Sequence, residues 1–375
     1  MLAVRAAGGG SAREGIFVAA WSGPSLASGL LAGHSLDRSR HPDRLLKLAA
    51  VVVASTLGLD AAALGQLPTA VLILSTAVGG AAVPLFTGGI SSLLPEVVGS
   101  GRLASAQALD SATYSFAGVA GPALIALLAA VCSARVALAV PACAVLCGPL
   151  LLPQISRLPA GPEEHQKASL RRTLLALANT KHLLAATGAS TLAAFGWGGL
   201  EVGAAAVAGL QGGTHWAGVY LAVLAAAALA AAVLLSRHPL GNPDRTIPSS
   251  LLLMTAGGIL IALSHEALPA LVGFALFGLG DGLLLPSVLA VRSRDAPVMM
   301  QAAVFTTAAS LKTAASAVGA ALAGFALVLL GPHGLFYALA ATQLLAALVA
   351  VLLSSTSADS GPSPKREHRR SADSR

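Results

Sequence analysis

Charged residues are scarce in this chain. Only 10% of its 375 residues are charged and 55% are hydrophobic, whereas a soluble domain carries about a quarter charged residues. A chain of this length with so few charges cannot cover its surface with polar side chains. The scarcity of charge therefore excludes a water-soluble globular domain, and we expect lipid to be the solvent.

Residues that support catalysis or metal binding are also few. The sequence has no Gly-Lys-Ser/Thr phosphate loop, no Gly-x-Ser-x-Gly elbow and no HExxH pair, so it predicts neither an enzyme nor an ATP-driven pump. Of the three cysteines, Cys132 lies apart, whereas Cys143 and Cys147 share a helical face and have no His or carboxylate neighbours. We interpret these two as packing residues, and we expect no metal site, no cofactor and no disulfide framework.

The hydrophobic residues fall into eleven long segments. A membrane-spanning helix needs about 20 apolar residues, and the pattern therefore predicts an all-α polytopic membrane protein. The predicted spans are Ile16–Leu36, Leu45–Leu59, Leu67–Leu93, Ala104–Val131, Val136–Leu152, Leu183–Ala208, Trp216–Leu235, Ile247–Leu263, Leu268–Val291, Val298–Leu330 and Leu335–Leu353.

The distribution of basic residues predicts the orientation. Nineteen of the 23 Lys and Arg residues lie in or beside alternate loops and the C-terminal tail, which the positive-inside rule places in the cytoplasm. We expect a multi-pass protein of the cell membrane with a cytoplasmic C-terminus. Its parts would be an extracytoplasmic segment at 1–15, a five-span bundle at 16–153, a cytoplasmic central loop at 154–181, a six-span bundle at 182–353 and a disordered basic tail at 354–375. The sequence has no basic stripe with interleaved aromatic residues, so we expect no nucleic-acid partner.

The loop after the first span carries a specific motif. Its residues Gly33-His34-Ser35-Leu36-Asp37-Arg38 resemble the signature loop Gly-x-x-x-Asp-Arg/Lys-x-Gly-Arg-Arg/Lys of the major facilitator superfamily of transporters. Beyond Arg38 the chain departs from the pattern, with Arg40-His41-Pro42 where the family prefers Gly and two basic residues. In that family the loop joins the second and third helices. The resemblance therefore implies two bundles matching family helices 2–12, with no counterpart of the first helix in this chain.

The resemblance also implies a conformational latch. Gly33 would let its helix pack closely on the family's helix 11, and Asp37 would lie at the N-terminus of that helix, where the helix dipole favours an anion. Glu96 is either a partner of Arg38 or an anchor at the lipid headgroups. We favour the latch for Asp37 and Arg38 and the anchor for Glu96.

A second, partial motif lies in the fourth predicted span. Gly121-Pro122 resembles the Gly-Pro pair of the helix-5 motif of antiporters, without its flanking glycines. The pair predicts a closely packed helix bend, and a simple proline kink is the alternative.

Four acidic or basic residues lie well inside predicted spans, away from the span margins, where such groups are costly and usually functional: Asp110, Glu201, Asp281 and Lys312. Asp281 and Lys312 lie about 15 Å and about 18 Å from the same membrane side, which predicts an ion pair near the midplane. By resemblance, Asp281 and Glu201 flank the transport path and could bind a proton or a cationic substrate. A purely structural pair for Asp281 and a gate role for Glu201 are equal alternatives. For Asp110 we favour helix capping over a proton relay.

These features together predict a secondary transporter. We expect a monomer that exports a small organic molecule in exchange for protons by alternating access. Uptake by the same fold is one alternative. Another is a truncated, transport-incompetent membrane protein or a partner-binding scaffold that kept the fold.

Overall fold

The protein is helical throughout the part that its structure describes. A computed structural model describes residues 11–63, 66–148, 170–211, 213, 215–238 and 242–355, and within these ranges no β-strand occurs. The predicted all-α fold is confirmed. The expected N-terminal remnant lies largely outside the described residues, as do most of the predicted tail and the first part of the central loop.

Twelve α-helices follow one another along the described chain. Their bounds are α1 Ser11–Arg38, α2 Pro42–Ala63, α3 Thr69–Pro84, α4 Ile90–Val98, α5 Leu103–Val131, α6 Ala134–Cys147, α7 Leu170–Asn179, α8 Lys181–Leu210, α9 His215–Arg237, α10 Pro243–Leu263, α11 Ala267–Asp295 and α12 Gln301–Ser355. A π-helical turn, Leu85–Gly89, joins α3 to α4, so that the two form one continuous span. Every predicted span coincides, in its described part, with one of these helical segments.

Seven of the described helical segments are long and apolar enough to cross a membrane. One of them, Val298–Ser354, is 57 residues long and contains two of the predicted spans. The backbone of Gly331 separates these two spans, because its φ of 71° and ψ of 179° are not helical. Seven segments by this criterion therefore hold eight of the eleven predicted spans. The described residues thus support a polytopic membrane fold.

The break at Gly331 gives a testable requirement for glycine. Its φ of 71° combined with an extended ψ is a conformation that only glycine adopts at low cost. We expect Gly331→Ala to lower the free energy of unfolding by about 1–3 kcal/mol, measured by thermal unfolding of the purified chain in detergent. Gly324→Ala is the matched control, since a Cβ at Gly324 meets no atom within 4 Å and alanine favours the helix. Equal unfolding midpoints for the two variants would contradict the requirement.

Polar residues extend several helices beyond their apolar segments. Pro42 and Asp43 begin α2, and Asn242 caps α10 by accepting a hydrogen bond from the Asp244 amide at 3.0 Å. The predicted central loop also contains a helix, α7, because its buried Thr173 and Leu177 alternate with exposed leucines and arginines. Hydropathy alone therefore underestimates helix length wherever capping residues or amphipathic turns occur.

The interpretation of Cys143 and Cys147 as packing residues is wrong. Cys132, Cys143 and Cys147 are all exposed. The helix α6 packs against α2, and its buried residues are small ones such as Ala137 and Ala142. The thiols are thereby left on the outer surface.

The helices pack in two groups, which we call the N-terminal group (α1–α6) and the C-terminal group (α8–α12). Within the first, α3 contacts α1 and α2, and α6 contacts α2 and α5. Within the second, α8 and α10 contact α12, and α11 contacts α9 and α10. The two groups meet where α1 packs on α12 and where α5 packs on α9 and α11.

The C-terminal group is tied together at one end by a charged cluster. Arg294 of α11 donates to both carboxylate oxygens of Asp244 of α10, at 2.7 and 3.1 Å. The His182 Nδ1 atom of α8 lies 3.1 Å from Asp244 Oδ1. One carboxylate therefore joins three helices.

Candidate functional site

The closest approach of the two groups is between α1 and the first turns of α12. A Cβ built on Gly33 would lie 2.5 Å from the Ala303 Cα and 2.6 Å from the Ala302 carbonyl oxygen. Gly29, one turn earlier, faces Ser310 and the Thr306 carbonyl in the same way. Glycine on α1 is therefore what lets the two helix backbones approach this closely.

Asp37 caps a helix of the opposite group. Its Oδ1 accepts a hydrogen bond from the Ala302 amide and its Oδ2 accepts one from the Ala303 amide, both at 2.8 Å. These amides belong to the first turn of α12, whose unpaired N–H groups and dipole favour a carboxylate. We call this end of the molecule, where α1 and α11 finish and α12 begins, the Asp37 end.

Arg38 and Glu96 lie at the same end and are both exposed. Leu93, one turn before Glu96, packs with Leu36 and Ala302. The structure therefore brings the ends of α1, α4 and α12 together around this small apolar cluster. The choice between a partner role and an anchor role for Glu96 stays a prediction.

A second contact closes the Asp37 end between α5 and α11. The buried Gln107 amide donates to the Leu289 carbonyl at 3.3 Å and to the Ser293 hydroxyl at 2.6 Å. Arg292, beside Ser293, is only 2% exposed and donates to the Ser190 hydroxyl of α8 at 3.0 Å. Gln107 thus connects the two groups, and the Arg292–Ser190 contact lies beside it within the C-terminal group; together these polar side chains form what we call the seam.

Asp110 lies beside this seam, and the expectation that it caps a helix is wrong. The helix α5 begins at Leu103, about two turns earlier, because Gly99 (φ 69°) and a short 3₁₀ turn end the preceding helix. Asp110 instead accepts a hydrogen bond from the Ser91 hydroxyl of α4 at 2.5 Å. It is therefore a half-buried carboxylate held by a neighbouring helix.

Tyr114, one turn along α5 from Asp110, links the seam to the π-helical turn. Its hydroxyl donates to the Thr87 carbonyl, which lies within that turn. π-Helical turns of this kind occur frequently at functional sites. Tyr114 also lies within the electrostatic influence of both Asp110 and Arg292.

Gly121-Pro122 lies away from these contacts. The helix α5 continues through both residues, and a Cβ at Gly121 would meet nothing within 4 Å. Among the described residues, the structure therefore shows no close contact at this glycine. The Pro122 side chain lies outside the described residues.

Asp281 and Lys312 face the same region between α11 and α12. Both are half-buried, and each lies in the electrostatic field of the other. In the described part of the chain, no hydrogen bond or ion pair within 4.0 Å joins them. The two side chains therefore influence each other electrostatically but form no contact ion pair in this conformation. Equal depth in the membrane does not ensure contact between residues of two different helices.

Glu201 is separated from Asp281 by an aromatic contact. The Trp197 ring of α8 lies 6.0 Å from the Phe277 ring of α11, measured between centroids. Glu201 follows Trp197 by one turn toward one end of the molecule, and Asp281 follows Phe277 by one turn toward the other. Glu201 is exposed, so the two carboxylates lie on opposite sides of this aromatic layer.

Sequence analysis missed Arg292 because it was counted as a basic residue of a cytoplasmic loop margin. The helix α11 continues past it to Asp295. Positions 281, 285, 288 and 292 are spaced at i, i+4, i+7 and i+11, so they share one helix face. That periodicity is the signal that connects Arg292 to Asp281.

Comparison with known proteins identifies the fold. No protein-family model and no curated protein sequence matches this chain. Many solved structures match it, including three that cover most of its length. The human organic anion transporter MFSD10 (TETRAN) has a TM-score of 0.71 at 19% identity, covering 93% of this chain and 87% of its own. The E. coli fucose:proton symporter FucP has a TM-score of 0.71 at 14% identity, covering 94% of this chain and 93% of its own.

The third is the proton:xylose symporter XylE of the major facilitator superfamily, which has a TM-score of 0.67 at 14% identity, covering 89% of this chain and 84% of its own. Identities this low show shared architecture only. The architecture is nevertheless the one that the Gly33–Arg38 motif predicted, and this chain has the fold of the major facilitator superfamily.

Proposed function

We propose that this protein is a secondary active transporter of a small organic molecule that works by alternating access between its two helix groups. The observation that carries the proposal is the Asp37 cap on α12 from the opposite group. A few charge-assisted hydrogen bonds and close glycine contacts close one end, and they can break without disturbing either group. The half-buried Asp281 and Lys312 lie on α11 and α12 of the C-terminal group, about three to four turns from this end.

The excess of basic residues supports a cytoplasmic location for the Asp37 end and for the C-terminus, in the cell membrane. Closure at this end would make the described conformation open toward the outside. Asp281 supports coupling to protons, because an intramembrane carboxylate without a contact ion pair can gain and lose a proton. The partial Gly121-Pro122 motif supports export by proton exchange.

Uptake is the second candidate direction. Two of the matching structures are described as proton symporters, and no described residue packs closely on Gly121, as the antiporter motif would require. The direction in which an imposed pH gradient drives flux distinguishes the two.

A cross-linking experiment tests alternating access. Gln107→Cys and Ser293→Cys, in a background with the native cysteines replaced by serine, are joined by a short bifunctional maleimide in phosphatidylethanolamine–phosphatidylglycerol vesicles. A panel of naphthyl carboxylates, amines and alcohols is followed by mass spectrometry under a pH gradient. We expect flux of at least one compound, its loss on cross-linking, and loss of its dependence on the gradient in Asp281→Asn.

Each single-cysteine variant, treated with the same reagent, is the control. Flux that persists after cross-linking would contradict alternating access. No flux of any compound would favour the transport-incompetent scaffold.

A further inference from the structure

Two deeply placed basic side chains lack a contact ion pair. No carboxylate within the described residues lies in ion-pair contact with Lys312 or Arg292. Arg292 has five N–H donors, yet its one described hydrogen bond goes to the neutral Ser190, and its buried Nε has no partner. Unpaired charges inside a protein are costly. A bound anion would lower this cost, so the region favours a negative charge.

These two cations act on the same region. Lys312 lies in the field of both Arg292 and Asp281. Arg292 and Asp281 share one face of α11, separated by three helical turns. Arg292 lies near the Asp37 end of α11, and the half-buried Lys312 lies about three turns into α12 from the same end. Two positive charges therefore face one nearby carboxylate.

The remaining carboxylates do not neutralise this region. Asp110 is held by Ser91 and influences Tyr114 rather than forming an ion pair with Arg292. Glu201 lies beyond the Trp197–Phe277 contact. The charge balance near Lys312 is therefore positive whenever Asp281 is protonated, and it contains one more cation than anion when Asp281 is ionised.

We infer that the region between α11 and α12 binds a small organic anion, such as a carboxylate, with Lys312 as its direct contact and Arg292 as the source of positive potential beneath it. This inference rests on the proposed transport function and names its substrate class. Asp281 competes with the anion for Lys312. When Asp281 takes up a proton, its negative charge no longer opposes the anion, and the positive potential around Lys312 rises.

A charge-matched series tests the inference. The full chain is purified in dodecyl maltoside, and its thermal unfolding is followed against increasing 2-naphthoate, 2-naphthylmethylamine, 2-naphthylmethanol or inorganic phosphate. We expect naphthoate, and neither the amine nor the alcohol, to raise the unfolding midpoint. Stabilisation by phosphate as well would show that the site accepts an inorganic oxyanion, and stabilisation by phosphate alone would overturn the organic substrate.

The variants separate binding from folding, because apparent affinities rather than midpoints are compared. Lys312→Gln should weaken naphthoate binding on the order of tenfold, and Arg292→Gln should weaken it less, with Arg292→Lys restoring it. Asp281→Asn should tighten binding on the order of tenfold, a change that a purely structural residue would not produce. Arg237→Gln, an exposed arginine at the end of α9, is the matched control and should leave binding unchanged.

Preference for the amine, or stabilisation by none of the four compounds, overturns the anion assignment and leaves alternating access standing. Flux that ignores the Gln107–Ser293 cross-link overturns the proposed function, whichever compound binds. Unchanged naphthoate affinity in both Lys312→Gln and Asp281→Asn also overturns the assignment.

Discussion

Replacing Gly33 with valine is expected to open the Asp37 end. The new side chain would meet the Ala302 carbonyl and the Ala303 Cα of α12, which are backbone atoms and cannot move aside without separating the helices. Overpacking of this kind costs about 1–3 kcal/mol, which corresponds to a shift of about 5- to 150-fold between closed and open populations. The measurement is the rate at which a membrane-impermeant maleimide labels Gln107→Cys in a background without the native cysteines.

Gly58→Val is the matched control for that variant. Gly58 lies inside a membrane helix, α2, and a Cβ there meets nothing within 4 Å. The control carries the same β-branched side chain without the clash, so it should label as slowly as the parent. Equal labelling rates for Gly33→Val and Gly58→Val would show that the α1–α12 contact does not hold the end closed.

Replacing Asp37 with alanine is expected to have a comparable or larger effect. It removes two hydrogen bonds of 2.8 Å from a carboxylate to the first turn of α12. Hydrogen bonds to charged groups contribute about 1.5–3 kcal/mol, so labelling of Gln107→Cys should accelerate on the order of hundredfold. The labelling rate in Asp37→Asn should fall between those of the parent and Asp37→Ala. The amide has only one acceptor oxygen and no charge to interact with the helix dipole.

The two substitutions together provide a check on their shared cause. If both act by separating α1 from α12, adding Asp37→Ala to Gly33→Val should accelerate labelling little further, since residues in one contact are not additive. Fully additive effects would mean that the cap and the glycine contact stabilise different conformations.

The spans and the motif were predictable because they depend on local properties. An apolar segment must be helical in lipid, since every backbone N–H and C=O needs an internal partner. The helix starts at Pro42 and Asn242 were harder to place, because proline and asparagine read as loop residues although they favour helix starts. The Asp37 cap was expected through family resemblance alone, since its partners lie 265 and 266 residues away in sequence.

The interior of the site was only partly predictable. Counting residues along a helix gives the depth of Asp281 and Lys312, but the distance between them depends on how α11 and α12 are rotated and tilted. The burial of Arg292 depends on the approach of α8 and α5, which no local pattern reveals. Gln107, Tyr114 and Ser190 are ordinary polar residues of apolar helices until the fold brings them to one seam.

The Asp244 cluster has a mechanical consequence for the whole C-terminal group. The Asp244 carboxylate meets Arg294 of α11 and His182 of α8 at the start of α10, beside a continuous hydrophobic core shared by the helices of the group, so we expect the group to move as one unit. The contacts that are expected to break are those between the two groups, at Asp37, Gly33 and Gln107. Release of the Asp37 cap should therefore rotate the C-terminal group as a rigid body, and Lys312 of α12 should move with it.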